Sequence, residues 1–343
     1  MGGESVKKSR VWTDKKKTSQ LTILLYPSVT NPPLVIWSFP MDRNLIIGQL
    51  LGLVTALCWA QNSLTYRHLG SKVGSDAVAH IRMWIALPAV ILLAFVTEGS
   101  FFPTNLSVQT YLVLFASGAI GYFFTDMMLF HAFVWLGARE SMVIMTLSPV
   151  ATAIFSYFLF AERLKAMQIM GILLTIIGVI TMVGGGLRVK GEASEEKQKA
   201  KGMLLAILAS ILQSISFLLA KYALEATGPV STNLLRNVGG FLAFIIYSFI
   251  IKRNARSHFA AFRDPKLLSL LFLTAMVGPV LGMSSQMKAF TLAPVGIVTT
   301  ITQTTPILLL PIDRFVLKKT ISASSLLGTF ISIVGVGILF LAA

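Results

Sequence analysis

One aspartate, two arginines and a scatter of amides and hydroxyls carry whatever chemistry this chain performs, because almost everything around them is apolar. Asp126 lies near the middle of a long hydrophobic run, with Tyr122 four residues before it and His131 five after. An ionisable group in such a setting is costly unless it is paired or works, so Asp126 is a candidate for binding a proton or a cation; its plainer role is a hydrogen bond between helices. Arg82 and Arg236 sit in the early turns of two other apolar runs, where a helix dipole disfavours a cation. They read as gate residues, as attractors for an anionic group, or as side chains snorkelling to lipid phosphates. A third set is uncharged: Trp59 and Asn62, Tyr122, Gln213 and Ser216, Gln286, and Thr302 with Gln303. A few such groups in an apolar, aromatic pocket orient a neutral or zwitterionic solute with an apolar portion, although the same residue types also bond membrane helices to one another. Pro149 and Pro306 each remove a backbone donor inside an apolar run, which makes them candidate bending points and gates.

Other chemistries find no support in the residues. The four histidines, 68, 80, 131 and 258, have no zinc spacing, and no Gly-x-Ser-x-Gly, His-Glu-x-x-His or Gly-rich phosphate loop occurs. The sequence therefore predicts neither an enzyme nor a bound metal or cofactor, and it lacks the like-charge rings and repeated filter loops of a channel. Lone Cys58 cannot form an internal bridge.

The elements that must position these residues are membrane helices. Of 343 residues 55% are hydrophobic and only 13% charged, with mean hydropathy +0.77, where soluble chains carry roughly 25% charge. The net charge of +15 lies mostly between apolar runs, which removes nucleic acid as its explanation. A span needs roughly 20 predominantly apolar residues, and such runs occur near 46–66, 76–97, 108–136, 139–160, 166–187, 201–225, 230–251, 267–292, 293–316 and 321–342. The third is long enough to tilt or break, around Gly118–Gly121. Residues 188–200 read as a charged linker and 252–266 as a second, basic loop. Residues 1–45 read as a disordered basic tail; because Met41-Asp42-Arg43-Asn44 precedes the first run like a natural beginning, an upstream-extended start is the other reading.

The two halves, 46–187 and 201–342, repeat one another. At an offset of 154 Gly48 meets Gly202, Trp59 meets Gln213 and Arg82 meets Arg236; after a three-residue slip the offset is 157, and Gly121 meets Gly278, Pro149 meets Pro306, Gly171 meets Gly328 and Gly178 meets Gly335. An odd number of helices per copy forces the second copy to enter the membrane from the opposite side. Inverted repeats are how secondary transporters expose one midplane site alternately to each side.

In these features the chain resembles the drug/metabolite transporter superfamily, in particular its ten-helix EamA-type members. The resemblance covers about 41–342 and rests on Trp59, Ala132-Phe133, Ser148-Pro149, Ala161-Glu162-Arg163-Leu164 and Gly171-x6-Gly178, then on Ala289-Phe290-Thr291-Leu292, Thr305-Pro306 and Gly328-x6-Gly335. One departure is Lys319, where the family pattern would place a second Glu thirteen residues after the proline. The resemblance implies transport of small metabolites or drug-like solutes and leaves the substrate open. Sixteen Lys and Arg in loops of one side against Arg163 and Lys165 on the other put the termini outside; the six basic residues of the first 40, and the way the family is drawn, put them in the cytoplasm.

The expectation is thus an all-α membrane protein with ten transmembrane helices in two inverted five-helix repeats, multi-pass in the plasma membrane, monomeric or homodimeric. It would move a small-molecule substrate outward by alternating access, with a proton coupled through Asp126. A non-transporting membrane structural protein and a flippase for a lipid-like substrate are the alternatives.

Overall fold

The computed structural model describes residues 43–160, 165–187, 193–293, 295–318 and 320–341. The tail to residue 42, Glu162 and Arg163, the first part of the linker and Lys319 lie outside them. In chain order the helices are α1 (Arg43–Val73), α2 (Ser75–Glu98), α3 (Val108–Trp135), α4 (Ala138–Met145), α5 (Leu147–Phe160), α6 (Ala166–Leu187), α7 (Ala193–Thr227), α8 (Pro229–Ile251), α9 (Ala255–Ala261), α10 (Pro265–Leu292), α11 (Val295–Thr302), α12 (Thr305–Pro311) and α13 (Ala323–Leu341). There is no strand among the described residues. Helices α1, α2, α3, α6, α7, α8 and α10 are long and apolar enough to cross a membrane, and α13 is a shorter apolar helix. Leu92, Phe158, Ile180 and Ile250 are among many large apolar side chains left exposed, as expected where lipid rather than water is the neighbour.

The fourth and ninth apolar runs are not continuous helices. The fourth is α4 and α5, which meet at Thr146; the ninth is α11 and α12, which meet at Gln303 and Thr304. The cause lies three residues on. Pro149 cannot donate to the carbonyl of Met145, nor Pro306 to that of Thr302, so each run loses a bond at the break; the Thr305 hydroxyl donates to the freed Thr302 carbonyl at 2.7 Å. The break expected in the third run is a widened, π-helical turn over Ala119–Thr125, in which the Thr125 hydroxyl reaches the Ile120 carbonyl five residues back at 2.9 Å. A second such turn, Met276–Gly282, falls at the same place in α10 at the offset of 157.

Two connecting segments contain helix. Residues 193–200, read as linker, are the first exposed turns of α7, where Glu195 and Glu196 favour the positive helix start and Glu195 stands four residues before Lys199. The basic loop 252–266 contains α9.

The closing helices of the two copies pack on each other. A Cβ on Gly178 would stand 2.3 Å from the Ser332 nitrogen and 2.7 Å from the Gly328 oxygen, and one on Gly171 would stand 2.7 Å from the Gly335 oxygen. Contacts that run down α13 as they run up α6 make the two helices antiparallel. The two contacts are each other's counterparts, since Gly171 corresponds to Gly328 and Gly335 to Gly178, and such exchange is what a two-fold axis produces.

Candidate functional site

A small cavity, about 50 Å³, lies at the two helix breaks, lined by Trp59 from α1, Leu129 from α3, Met142, Met145 and Ser148 from α4 and α5, Gln213 and Phe217 from α7, Gln286 from α10, and Thr302 and Gln303 at the end of α11. It would hold a few water molecules. Trp59 and Gln213 are counterparts in the repeat, as are Leu129 and Gln286, and Met145 and Thr302. A cavity built from such pairs sits on the pseudo-two-fold axis.

Its two halves differ in chemistry. The first copy supplies Trp59, Leu129, Met142, Met145 and one hydroxyl, Ser148; the second supplies Gln213, Gln286, Gln303, Thr302 and one ring, Phe217. No charged side chain lines it. Gln213 and Gln286 are more than nine-tenths buried, yet Gln213 Nε2 and Gln286 Oε1 have no hydrogen-bond partner among the described residues.

Of the eight residues expected to bind substrate, Trp59, Gln213, Gln286, Thr302 and Gln303 come together in this cavity. Asn62, Ser216 and Tyr122 do not line it. With its amide nitrogen toward the Thr274 carbonyl (3.2 Å), Asn62 accepts from the Gly278 N–H (2.9 Å). Its counterpart Ser216 donates to the Ser117 carbonyl (2.7 Å) beside Gly121. Thr274 corresponds to Ser117 and Gly278 to Gly121, so the first helix of each copy is bonded to the third helix of the other. Leu129, Met142, Met145, Ser148 and Phe217 were missed from sequence. Leu129 and Met145 were within reach, as counterparts of Gln286 and Thr302.

Asp126 and the two arginines form a buried cluster beside the cavity. Arg82, 1% exposed, is ion-paired with Asp126, 3% exposed. Tyr66 and Phe130 carry the Arg82 guanidinium on their rings at 5.5 and 4.9 Å. Tyr122 stands between the arginines, 5.8 Å from Arg82 and 5.3 Å from Arg236, with its hydroxyl on Asn233. Arg236, also 1% exposed, bonds to Ser117 (3.0 Å), Ser216 (3.1 Å) and Met283 Sδ (3.4 Å), and its guanidinium stands 5.4 Å from the ring of Phe217. Phe217 thus lies beside this cation and also lines the cavity. Snorkelling does not describe either arginine; both are inside the bundle.

Arg139, at the start of the fourth apolar run and one of the sixteen cations assigned above to loops, is also buried. It bonds to Asp313 (3.0 Å), Glu140 (2.8 Å), Ser325 (3.0 Å) and Thr329 (3.5 Å), tying the start of α4 to the turn after α12 and to α13. A guanidinium offers five donors in a fixed fork, which suits it to join three elements at once. Lys221 and Lys288, by contrast, are exposed. Among the described residues no group of His, Cys, Asp and Glu is placed to hold a metal ion.

An all-helical bundle with many membrane-length apolar helices, closed around an uncharged axial cavity, defines a multi-pass integral membrane protein of the transporter type. Comparison with known proteins identifies it further. The EamA-like transporter family matches residues 46–184 and again 200–341, and the chain belongs to that family. It is 21% identical over 294 residues to an uncharacterized transporter of Clostridium kluyveri, covering 84% of this chain and 91% of that protein. It is 24% identical over 234 residues to an uncharacterized transporter of Archaeoglobus fulgidus, covering 66% and 79%, and 24% identical over 168 residues to the uncharacterized transporter YetK of Bacillus subtilis, covering 49% of each. A solved structure titled only as the crystal structure of a protein shares the fold at a TM-score of 0.59 and 17% identity, over 87% of this chain and 98% of that one.

Proposed function

We propose that the protein is a secondary-active exporter of a small organic solute across the plasma membrane. Ten crossings in two inverted repeats would alternate around the axial cavity. The observation that carries this reading is the pairing of counterparts Trp59/Gln213, Leu129/Gln286 and Met145/Thr302 around one cavity. A site on the axis keeps its walls when the two copies exchange conformations, which is what alternating access requires. The antiparallel packing of α6 on α13 supports the inverted arrangement. The breaks ahead of Pro149 and Pro306 border the cavity and are the places where it would widen to admit a metabolite.

Proton coupling through Asp126 requires its pair with Arg82 to part during the cycle, with Arg236 the other cation of the same cluster. Arg82 and Arg236 then act as internal gates rather than surface ones. Asp126→Asn tests the coupling: a pH dependence of transport that is unchanged in the variant removes it.

The whole reading is tested by thermal stabilisation of the detergent-purified protein against a panel of amino acids, nucleosides, sugars, organic acids and cationic drugs, followed by flux of any hit in proteoliposomes. A ligand at one hundred times its dissociation constant stabilises by about 2.7 kcal/mol. A hit that is lost on changing Gln303 and is carried across the membrane confirms a carrier; a folded sample that no compound stabilises overturns it. A lipid-like substrate is the second reading, favoured by an apolar groove of about 350 Å³ lined by Phe123, Phe124, Met127 and Trp135. Movement of labelled lipid with no solute flux would select it.

A further inference from the structure

We infer that the groove between α12 and α13 binds an anionic phospholipid of the surrounding bilayer, with acyl chain on its apolar wall and the phosphate on Arg314 and Lys318. The groove encloses about 690 Å³ and is lined by Leu310 and Pro311 of α12, Phe315 of the turn that follows, Ile321, and Leu326 of α13; Arg314 and Thr320 complete the lining. Phe315 and Leu326 are 77% and 40% exposed, and Arg314 is exposed as well. Wall and cation therefore both face outward. Pro311 builds this shape. It cannot donate to the Ile307 carbonyl, and the chain passes into a widened π-helical turn over Ile312–Val316, closed by the Leu317 N–H on the Ile312 carbonyl at 2.9 Å. Lys318, at φ 51°, then turns the chain out of the helix. The turn sorts its charges: Asp313 is 1% exposed and accepts from Arg139 at 3.0 Å, while Arg314 beside it stays outside. Among the described residues neither Arg314 nor Lys318 has an ion pair.

Any lipid tail would cover the apolar wall; the cations decide the headgroup. A phosphate diester accepts from a guanidinium fork and from an ammonium, and each Lys or Arg near an anionic lipid surface is worth roughly a fivefold gain in affinity. A zwitterionic headgroup brings an ammonium of its own to the same cations and forfeits that gain. A second copy of the chain is a poor occupant, because a two-fold contact sets each patch against itself, here cation against cation. The groove lies at the end of the bundle where Arg139 begins α4, since Asp313 is bonded to it. The count of loop cations makes this the basic side of the protein, and basic pockets between membrane helices on that side suit anionic headgroups. The repeat does not impose the cluster: where the second copy has Arg314, Lys318 and Lys319, the first has Tyr157, Ala161 and Glu162. Lys319, standing where the family pattern would place a Glu, gives this segment a third cation. The lipid site is independent of the axial cavity and of what that cavity carries.

Thermal-shift titrations of the full chain in a neutral detergent test the site, with dioctanoyl phosphatidylglycerol, dioctanoyl phosphatidylcholine and glycerophosphate as probes. Phosphatidylglycerol is expected to bind at least about tenfold more tightly than phosphatidylcholine. Glycerophosphate, which has the phosphate without the chains, is expected to leave the melting curve unchanged. The double variant Arg314→Gln/Lys318→Gln should melt like the parent without lipid, because both side chains are exposed, and should lose the preference between the two lipids. Arg256→Gln/Arg263→Gln removes two exposed cations from α9 and the loop after it and should keep that preference. Leu326→Trp fills the groove with its cations untouched and should weaken phosphatidylglycerol at least about fivefold. Equal binding of the two lipids by the parent overturns the inference, as does a preference that both double variants lose alike. So does a response to glycerophosphate that matches phosphatidylglycerol, or a dimer that Leu326→Trp dissociates and phosphatidylglycerol leaves intact.

Discussion

Arg236 reaches Met283 Sδ at 3.4 Å across the same step that carries Arg82 to Asp126 in the other copy of the repeat. Asp126 and Met283 are counterparts, each the first residue after a π-helical turn, so one ancestral geometry now holds an ion pair in one copy and a cation on neutral partners in the other. The pair is dry, and removing one partner of a dry pair leaves an uncompensated charge, at a cost of about 3–5 kcal/mol. Asp126→Asn should therefore lower the melting temperature markedly. Arg82→Met combined with Asp126→Leu should melt above Asp126→Asn alone, since nothing charged is then stranded. A double variant that melts no higher than the single one would show that the two groups are not coupled.

The second buried arginine network allows a comparison within one residue's contacts. Arg139 bonds to both Asp313 and Glu140, but the Asp313 side chain is 1% exposed and that of Glu140 is 21% exposed. Water screens the second bond, which is then worth about 0–1 kcal/mol, whereas the first is a buried pair. Asp313→Asn should cost several-fold more in melting temperature than Glu140→Gln. Equal effects would mean that Arg139 is held mainly by Ser325 and Thr329.

How far the sequence reaches can be followed along particular residues. The repeat offset, read from residue types alone, placed Trp59 against Gln213 and Gly171 against Gly328, and the structure uses both pairings around the axis. It was legible because hydrophobic runs and their punctuating Gly and Pro are strong local signals. The burial of Arg139 was not, because a cation at the edge of an apolar run looks like any loop cation until Asp313, 174 residues later, is brought beside it. Asn62 and Gln303 looked alike for a similar reason: a polar residue on a membrane helix faces either a cavity or another helix, and only packing decides which. The breaks before Pro149 and Pro306 were foreseeable from the missing donor, but their consequence, two short helices in place of one span, needed the backbone itself.

The helix α9 is docked on α2 through a histidine pair, His80 Nδ1 to His258 Nδ1 at 3.1 Å, with Trp84 Nε1 donating to His80 Nε2. Since Trp84 occupies Nε2 as an acceptor, the bond between the rings needs His258 Nδ1 to be free of a proton. His258 lies between the spans α8 and α10. Burial pushes its imidazole below the ordinary value, with Asp76 opposing in part. The unfolded chain then takes up a proton near pH 6.5 that the folded one refuses until lower pH. Stability is complete above about pH 6.5 and declines as the pH falls below it. The slope of melting temperature against pH should be smaller in His258→Gln; an identical slope would place the titration elsewhere.

The contact of α6 with α13 depends on glycine. At Gly328 a Cβ would stand 2.4 Å from the Met182 nitrogen, a backbone atom that cannot step aside, while at Gly184 nothing lies within 4 Å. Gly328→Ala should destabilise by about 1–3 kcal/mol through forced separation of the helices. Gly184→Ala should be neutral or stabilising by up to about 1 kcal/mol, because alanine is the better helix former. Melting curves of the two variants side by side decide the matter, and a harmless Gly328→Ala would show that the two helices do not need this close approach.

Asn62 and Gln303 separate packing from recognition most sharply. Asn62 is fully buried, and its amide bridges the Thr274 carbonyl and the Gly278 N–H. Cutting it to alanine removes this bridge at the contact of α1 with α10, leaving the Thr274 carbonyl to the Tyr66 hydroxyl at 3.3 Å, a loss of about 0.5–1.5 kcal/mol. Gln303 stands at the break in the ninth run and lines the cavity. Its truncation removes a polar group from the cavity wall and leaves the packing of long helices alone. Asn62→Ala is therefore expected to melt lower while keeping its response to a ligand, and Gln303→Ala to melt like the parent while binding that ligand about tenfold more weakly. Thermal-shift titration of both variants with the same compound checks the pair. The reverse pattern, a ligand response lost in Asn62→Ala and retained in Gln303→Ala, would move the solute site from the axis to the junction of α1 and α10.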